Sequence, residues 1–69
     1  MTNIVTKKTD VTVERKGNIF RFSGLNRDLV LSEAEYEFGA QLMLRHNPRW
    51  LTKCFVPDGF VAVFSVRVK

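Results

Sequence analysis

The chain has 69 residues, enough for one domain and close to the lower limit at which an apolar core holds a fold without staples. Hydrophobic residues make up 45% and aromatics 12%, which excludes a disordered chain, and a single cysteine, Cys54, excludes an internal disulfide. The net charge of +4 favours acidic protein surfaces or nucleic acid, but it is uneven, with Asp28, Glu33, Glu35 and Glu37 forming an acidic block.

Residues 1–8 are polar, lack a signal-peptide core and read as a flexible or edge-pairing lead-in to a domain over 9–69. No later run approaches the ~18 apolar residues of a membrane span, so a soluble, cytoplasmic protein is expected. In VTVER, Val11 and Val13 alternate with Thr12 and Glu14, as in a half-buried strand. Lys16-Gly17-Asn18 is turn chemistry, and IFRFS follows with Phe20 and Phe22 on one face, so the two runs predict a hairpin. Residues 24–28 read as a loop. The apolar run 29–31 reads as an extra strand or a connector.

Ser32-Glu33-Ala34-Glu35 matches the capping box, in which Ser caps one end-amide and Glu returns to the Ser amide, so a helix is predicted from Ser32. Tyr36, Phe38, Gly39, Ala40, Leu42 and Met43 form an apolar arc expected to face a sheet, with Gly39 and Ala40 allowing close approach. Glu33, Glu37, Gln41 and Arg45 form the opposite, polar stripe. Pro48 is expected to end the helix, because the residue before proline avoids the helical region.

Beyond Pro48 the period becomes two. WLTKCFV and FVAVFSVRVK read as strands joined by PDG, with Phe55 opposite Ala62 or, preferably, Val61. The last strand is apolar on both faces at its start, as central strands are. The predicted fold is α+β, a small antiparallel sheet of four to five strands with one α-helix packed on one face, in the order ββ(β)αββ.

No glycine-rich phosphate loop, nucleophile elbow or HExxH occurs, and no Cys/His spacing suits zinc. Ser32 is used by the predicted cap, His46 has no evident nucleophile, and Cys54 reads as a small buried hydrophobe. A non-enzymatic chain with no cofactor and no metal is expected.

DGFVAVFSV resembles the ribonucleoprotein strand motif of RNA-recognition domains in its glycine and spaced aromatics. It departs by lacking an aromatic between Phe60 and Phe64, and the chain has one predicted helix where that fold needs two. In size, element order and the VPDGF turn before a closing strand, the chain is also similar to phage-encoded inhibitors of host machinery. That similarity spans five residues of sequence and implies action by binding.

Arg49 and Trp50 are residue types that anchor interfaces, although Trp50 can instead fold over the sheet edge as core. Lys53, Arg21, Arg27 and Arg67 are expected to extend a basic patch around them. A sheet face bearing Val61 and Val63 offers homodimerisation or pairing with a partner's strand. The expected function is a small protein-binding module, a phage or mobile-element protein that inhibits or modulates a host protein by occupying a binding surface. The alternative is a nucleic-acid-binding protein that stacks bases on Phe20, Phe22 or Phe64 beside Arg21. No membrane partner is expected.

Overall fold

Alternating apolar residues and tight turns build a five-stranded antiparallel sheet crossed on one face by a single helix. The computed structural model describes the backbone of residues 3–8 and 10–67 and the side chains of residues 10–67. The elements are β1 (Asn3–Lys8), β2 (Val11–Lys16), β3 (Ile19–Gly24), α1 (Arg27–Met43), β4 (Arg49–Val56) and β5 (Gly59–Ser65), and the sheet order is β1-β2-β3-β5-β4. The helix joins β3 to β4, which run parallel to one another with β5 inserted antiparallel between them. No helix is long and apolar enough to cross a membrane among the described residues.

The segment read as a lead-in contributes β1, paired with β2 along its full length from Asn3↔Lys16 to Lys8↔Val11. The third strand before the helix is therefore β1, and residues 29–31 are not a strand. The β2–β3 hairpin turns at Gly17-Asn18, with Gly17 at φ 60, the backbone sign a type II′ turn requires at its first central residue.

The helix begins five residues before the predicted Ser32. Asn26 is the N-cap, its Oδ1 accepting from the amides of Asp28 (2.9 Å) and Leu29 (3.2 Å). Starting there brings Val30 onto the sheet in line with Ala34, both fully buried, and a helix starting at Ser32 would forgo the burial of Val30. Ser32 and Glu35 are thus exposed mid-helix residues, and the capping box does not form.

The buried stripe accordingly runs through Val30, Ala34, Phe38 and Gln41, while Tyr36, Leu42 and Met43 face out and the space around Gly39 is open. Gln41 is 8% exposed, yet its Nε2 donates to Glu37 Oε2 at 2.8 Å and its Oε1 meets Nδ1 of His46. A buried amide satisfied at both ends is tolerated, so the predicted polar stripe fails at this residue.

The helix stops at Met43, ahead of Pro48. Arg45 takes φ 64 and donates to the Leu42 carbonyl, while His46 donates to that of Gln41, the paired bonds of a Schellman end.

Beneath the helix, one row crosses four strands in register: Arg15, Phe20, Phe64, Trp50. Phe64 is completely buried at its centre, with Phe20 and Phe22 stacked at 5.0 and 5.8 Å and Phe38 and Trp50 edge-on at 5.3 and 5.4 Å. Cations close both ends of the row, Arg15 over Phe20 at 5.0 Å and Lys53 over Trp50 at 4.6 Å. The central position of β5 accounts for its apolar character on both faces.

The β4–β5 turn is centred on Pro57-Asp58, which pairs Val56 with Gly59 and Phe55 with Phe60. Neither predicted register holds. Both assigned Gly59 to the turn, whereas it is the first residue of β5.

Candidate functional site

The six basic and aromatic residues expected to form one patch lie on two faces of the sheet. Trp50 and Lys53 are on the helix-covered face, and Arg27 in the first turn of α1 lines a groove with Lys53. Arg21, Arg49 and Arg67 belong to the opposite, open face, as strand alternation from Phe20, Trp50 and the buried Val66 dictates.

Trp50 is half-buried. Its ring stacks on Phe38 of the helix at 4.7 Å with 2° between planes, and the Lys53 ammonium lies over the same ring. It is therefore an extension of the core rather than a free anchor. Phe20, Phe22 and Phe64 are buried beneath the helix too, which removes the strand aromatics as a stacking platform for bases.

The helix covers β2, β3 and β5 and stops short of the outer half of β4. What remains is an open groove of ≈ 420 Å³ between the two, lined by Arg27, Leu31 and Glu35 of α1, Lys53 and Phe55 of β4, and Phe60 of β5. Phe55 packs edge-on against Phe60 at 5.0 Å and is still 73% exposed. Phe55 was missed in the sequence because both expected registers placed it opposite a small aliphatic residue rather than opposite Phe60.

β4 is also an edge strand. The pairing with β5 is irregular between Trp50 and Thr52, leaving Leu51 exposed, and is regular from Thr52 to Val56. Cys54 is exposed on this strand rather than buried, its Sγ accepting from the Thr52 hydroxyl at 3.7 Å.

The open face is mixed in character. Glu14 and Arg21, directly opposite one another on β2 and β3, form an ion pair at 2.7 Å. Val61 is buried there by its neighbours, at 6% exposure, and does not present a broad apolar surface. At one end of this face, Asn47, Pro48, Arg49, Ser65 and Arg67 line a cleft of ≈ 410 Å³. Among the described residues, no carboxylate lies within ion-pair distance of Arg49 or Arg67. Comparison of the chain with protein-family models, with curated proteins and with solved structures gives no match.

Proposed function

We propose that this protein is a non-enzymatic binding module that takes an extended segment of a partner protein along the free edge of β4, with the partner's side chains in the groove against α1. The observation that carries the reading is Phe55, a large apolar side chain 73% exposed on the edge strand, beyond the point where the helix packs on Trp50. An edge strand offers unpaired backbone groups for affinity, and an adjacent groove selects the side chains that alternate inward. The regular stretch Thr52–Val56 gives the length over which such pairing runs.

The rim sets the partner's chemistry. Arg27 is paired with Asp28 at 3.5 Å and Lys53 stands against Glu35, so the charges at the rim balance and an apolar segment fits best. Two features disfavour pairing with a second copy through this edge, the irregularity at Leu51 and the charge of Lys53 on the helix-covered side of the strand. Occupation of such a segment denies it to its normal contacts. That is the steric mode expected of a phage or mobile-element product that inhibits a host protein.

A pull-down from bacterial lysate with the wild type, Phe55→Glu and Tyr36→Glu tests this. Tyr36 is 75% exposed on the far side of the helix, so its substitution leaves the groove intact. Partners lost with Phe55→Glu and kept with Tyr36→Glu support the groove, and the reverse pattern places the interface on the outer helix face. Retention on DNA that falls steeply with log salt would return the reading to nucleic acid.

A further inference from the structure

On the open face, β4 and β5 continue their ladder beyond the assigned strand ends. Asn47 and Arg67 exchange both backbone hydrogen bonds, at 2.8 and 3.3 Å, and two residues further along Arg49 is opposite Ser65. Pairs two apart in an antiparallel ladder present their side chains to the same face. Asn47, Arg49, Ser65 and Arg67 therefore form a two-by-two array, with the two arginines on a diagonal and the amide and hydroxyl on the other. Diagonal neighbours lie about 7–8 Å apart at the backbone, within reach of long side chains converging on one group. The four side chains line the ≈ 410 Å³ cleft.

We infer that this array is a binding site for a phosphate monoester. All four side chains carry hydrogen-bond donors, and among the described residues neither guanidinium is paired with a carboxylate. A guanidinium matches phosphate oxygens with two parallel donors, and two of them match a group that carries about −1.5 to −2 charges at neutral pH. A hydroxyl and an amide N–H fill the remaining acceptor directions.

A monoester fits better than a polynucleotide backbone. The diester carries one charge per phosphate and needs a continuous basic track with bases stacked beside it. Here the face beyond the array carries Ile19 in the row of Ser65, and Glu14 paired to Arg21 in the next, which interrupts any such track. The aromatic rings lie on the other side of the sheet. The ester's source is a phosphorylated side chain of a protein or a small phosphorylated molecule, both presenting the same dianion. The site is on the opposite face from the β4–α1 groove and does not depend on the reading of that groove.

The test is a ¹H–¹⁵N NMR titration with inorganic phosphate, a phosphoserine peptide, ribose 5-phosphate and an oligothymidylate, at ionic strength held constant with chloride. Saturable shifts of Asn47, Arg49, Ser65 and Arg67 are expected with the monoesters. Affinity should fall at least tenfold in Arg49→Gln and in Arg67→Gln and stay unchanged in Arg15→Gln, which lies on the other face of the sheet and lines neither cleft nor groove. Both arginines are exposed, so the thermal transition of these variants is expected to match the wild type and serves as the folding control. A ranking of phosphoserine peptide above ribose 5-phosphate, or the reverse, names the source. Shifts that never saturate, or that persist in both glutamine variants, overturn the site. Tighter binding of the oligothymidylate, with shifts spreading to Lys16 and Arg21, overturns the monoester assignment in favour of nucleic acid.

Discussion

At Gly59 the backbone holds φ at 142°, and a Cβ added there would stand 2.1 Å from the carbonyl oxygen of Gly24 and 2.9 Å from Cα of Leu25. Backbone faces backbone at that point, so nothing can move aside cheaply. Gly39 is the opposite case, a helix-interior glycine with nothing within 4 Å of an added Cβ. Gly59→Ala is expected to cost about 3 kcal/mol or more, combining left-handed strain with overpacking. Gly39→Ala is expected to gain about 0.5–1 kcal/mol, because alanine loses less backbone freedom and nothing obstructs its methyl. Urea denaturation of the two variants checks both signs. If Gly39→Ala destabilises, the outer face of the helix is covered and the packing described for α1 is wrong. In the sequence the roles look reversed, with Gly39 resembling a close-packing device and Gly59 an ordinary turn residue. The contact that constrains Gly59 comes from Gly24, thirty-five residues earlier, and no local pattern carries it.

The same contrast between local and distant signals decides the start of the helix. Ser32-x-x-Glu35 is a good local cap, but Asn26 is also a strong capping residue, and the longer helix buries Val30 and Ala34 completely. Burying a valine side chain is worth about 1.5–3 kcal/mol, more than the ~1 kcal/mol of a cap, so the tertiary contact wins. Asn26→Ala should therefore cost about 1 kcal/mol. Ser32→Ala should be neutral or stabilise by up to roughly 0.5 kcal/mol, since alanine is the better helix former at an exposed interior site. Thermal unfolding followed by circular dichroism measures both, and a larger loss at Ser32 than at Asn26 would restore the capping box. The strand runs of β2 to β5, the hairpin at Gly17-Asn18 and the single helix follow from periodicity and turn chemistry, whereas β1 lies in a segment without an apolar period and 29–31 belongs to the helix. The β4–β5 register was not legible, because Pro57-Asp58-Gly59 allows several turns and only the packing of Phe55 on Phe60 chooses among them. The groove inherits that ambiguity, which is why Arg27 and Lys53 were recognised as candidates while Phe55 was not.

For the molecule as a whole, the sheet order places β5 in the interior and makes one ring, Phe64, the meeting point of three strands and the helix. Alternation in FVAVFSV marks Phe64 as inward, but its centrality depends on β5 inserting between β3 and the edge strand β4, which no single strand's pattern reveals. A chain of 69 residues is expected to have a net stability of roughly 3–10 kcal/mol. Removing a fully buried phenylalanine costs about 3–5 kcal/mol, as transfer energy and as the cavity left among the four surrounding rings. Phe64→Ala therefore consumes much or all of that margin. At about 4–8 °C per kcal/mol for a domain of this size, Tm should fall by roughly 12 °C or more, or the cooperative transition should vanish. Tyr36→Ala, removing an equally large ring that is 75% exposed, should leave stability within about 0.5 kcal/mol. Differential scanning calorimetry of the pair is decisive, because a Tm change under about 3 °C in Phe64→Ala would mean that the aromatic row is not the core. The same reasoning limits how partner binding can be probed. Trp50 is edge-on to Phe64 and stacked on Phe38, so Trp50→Ala weakens the fold and any binding lost with it is ambiguous. Phe55 rests on Phe60 at the margin of the cluster, and its substitution tests the groove with the row intact.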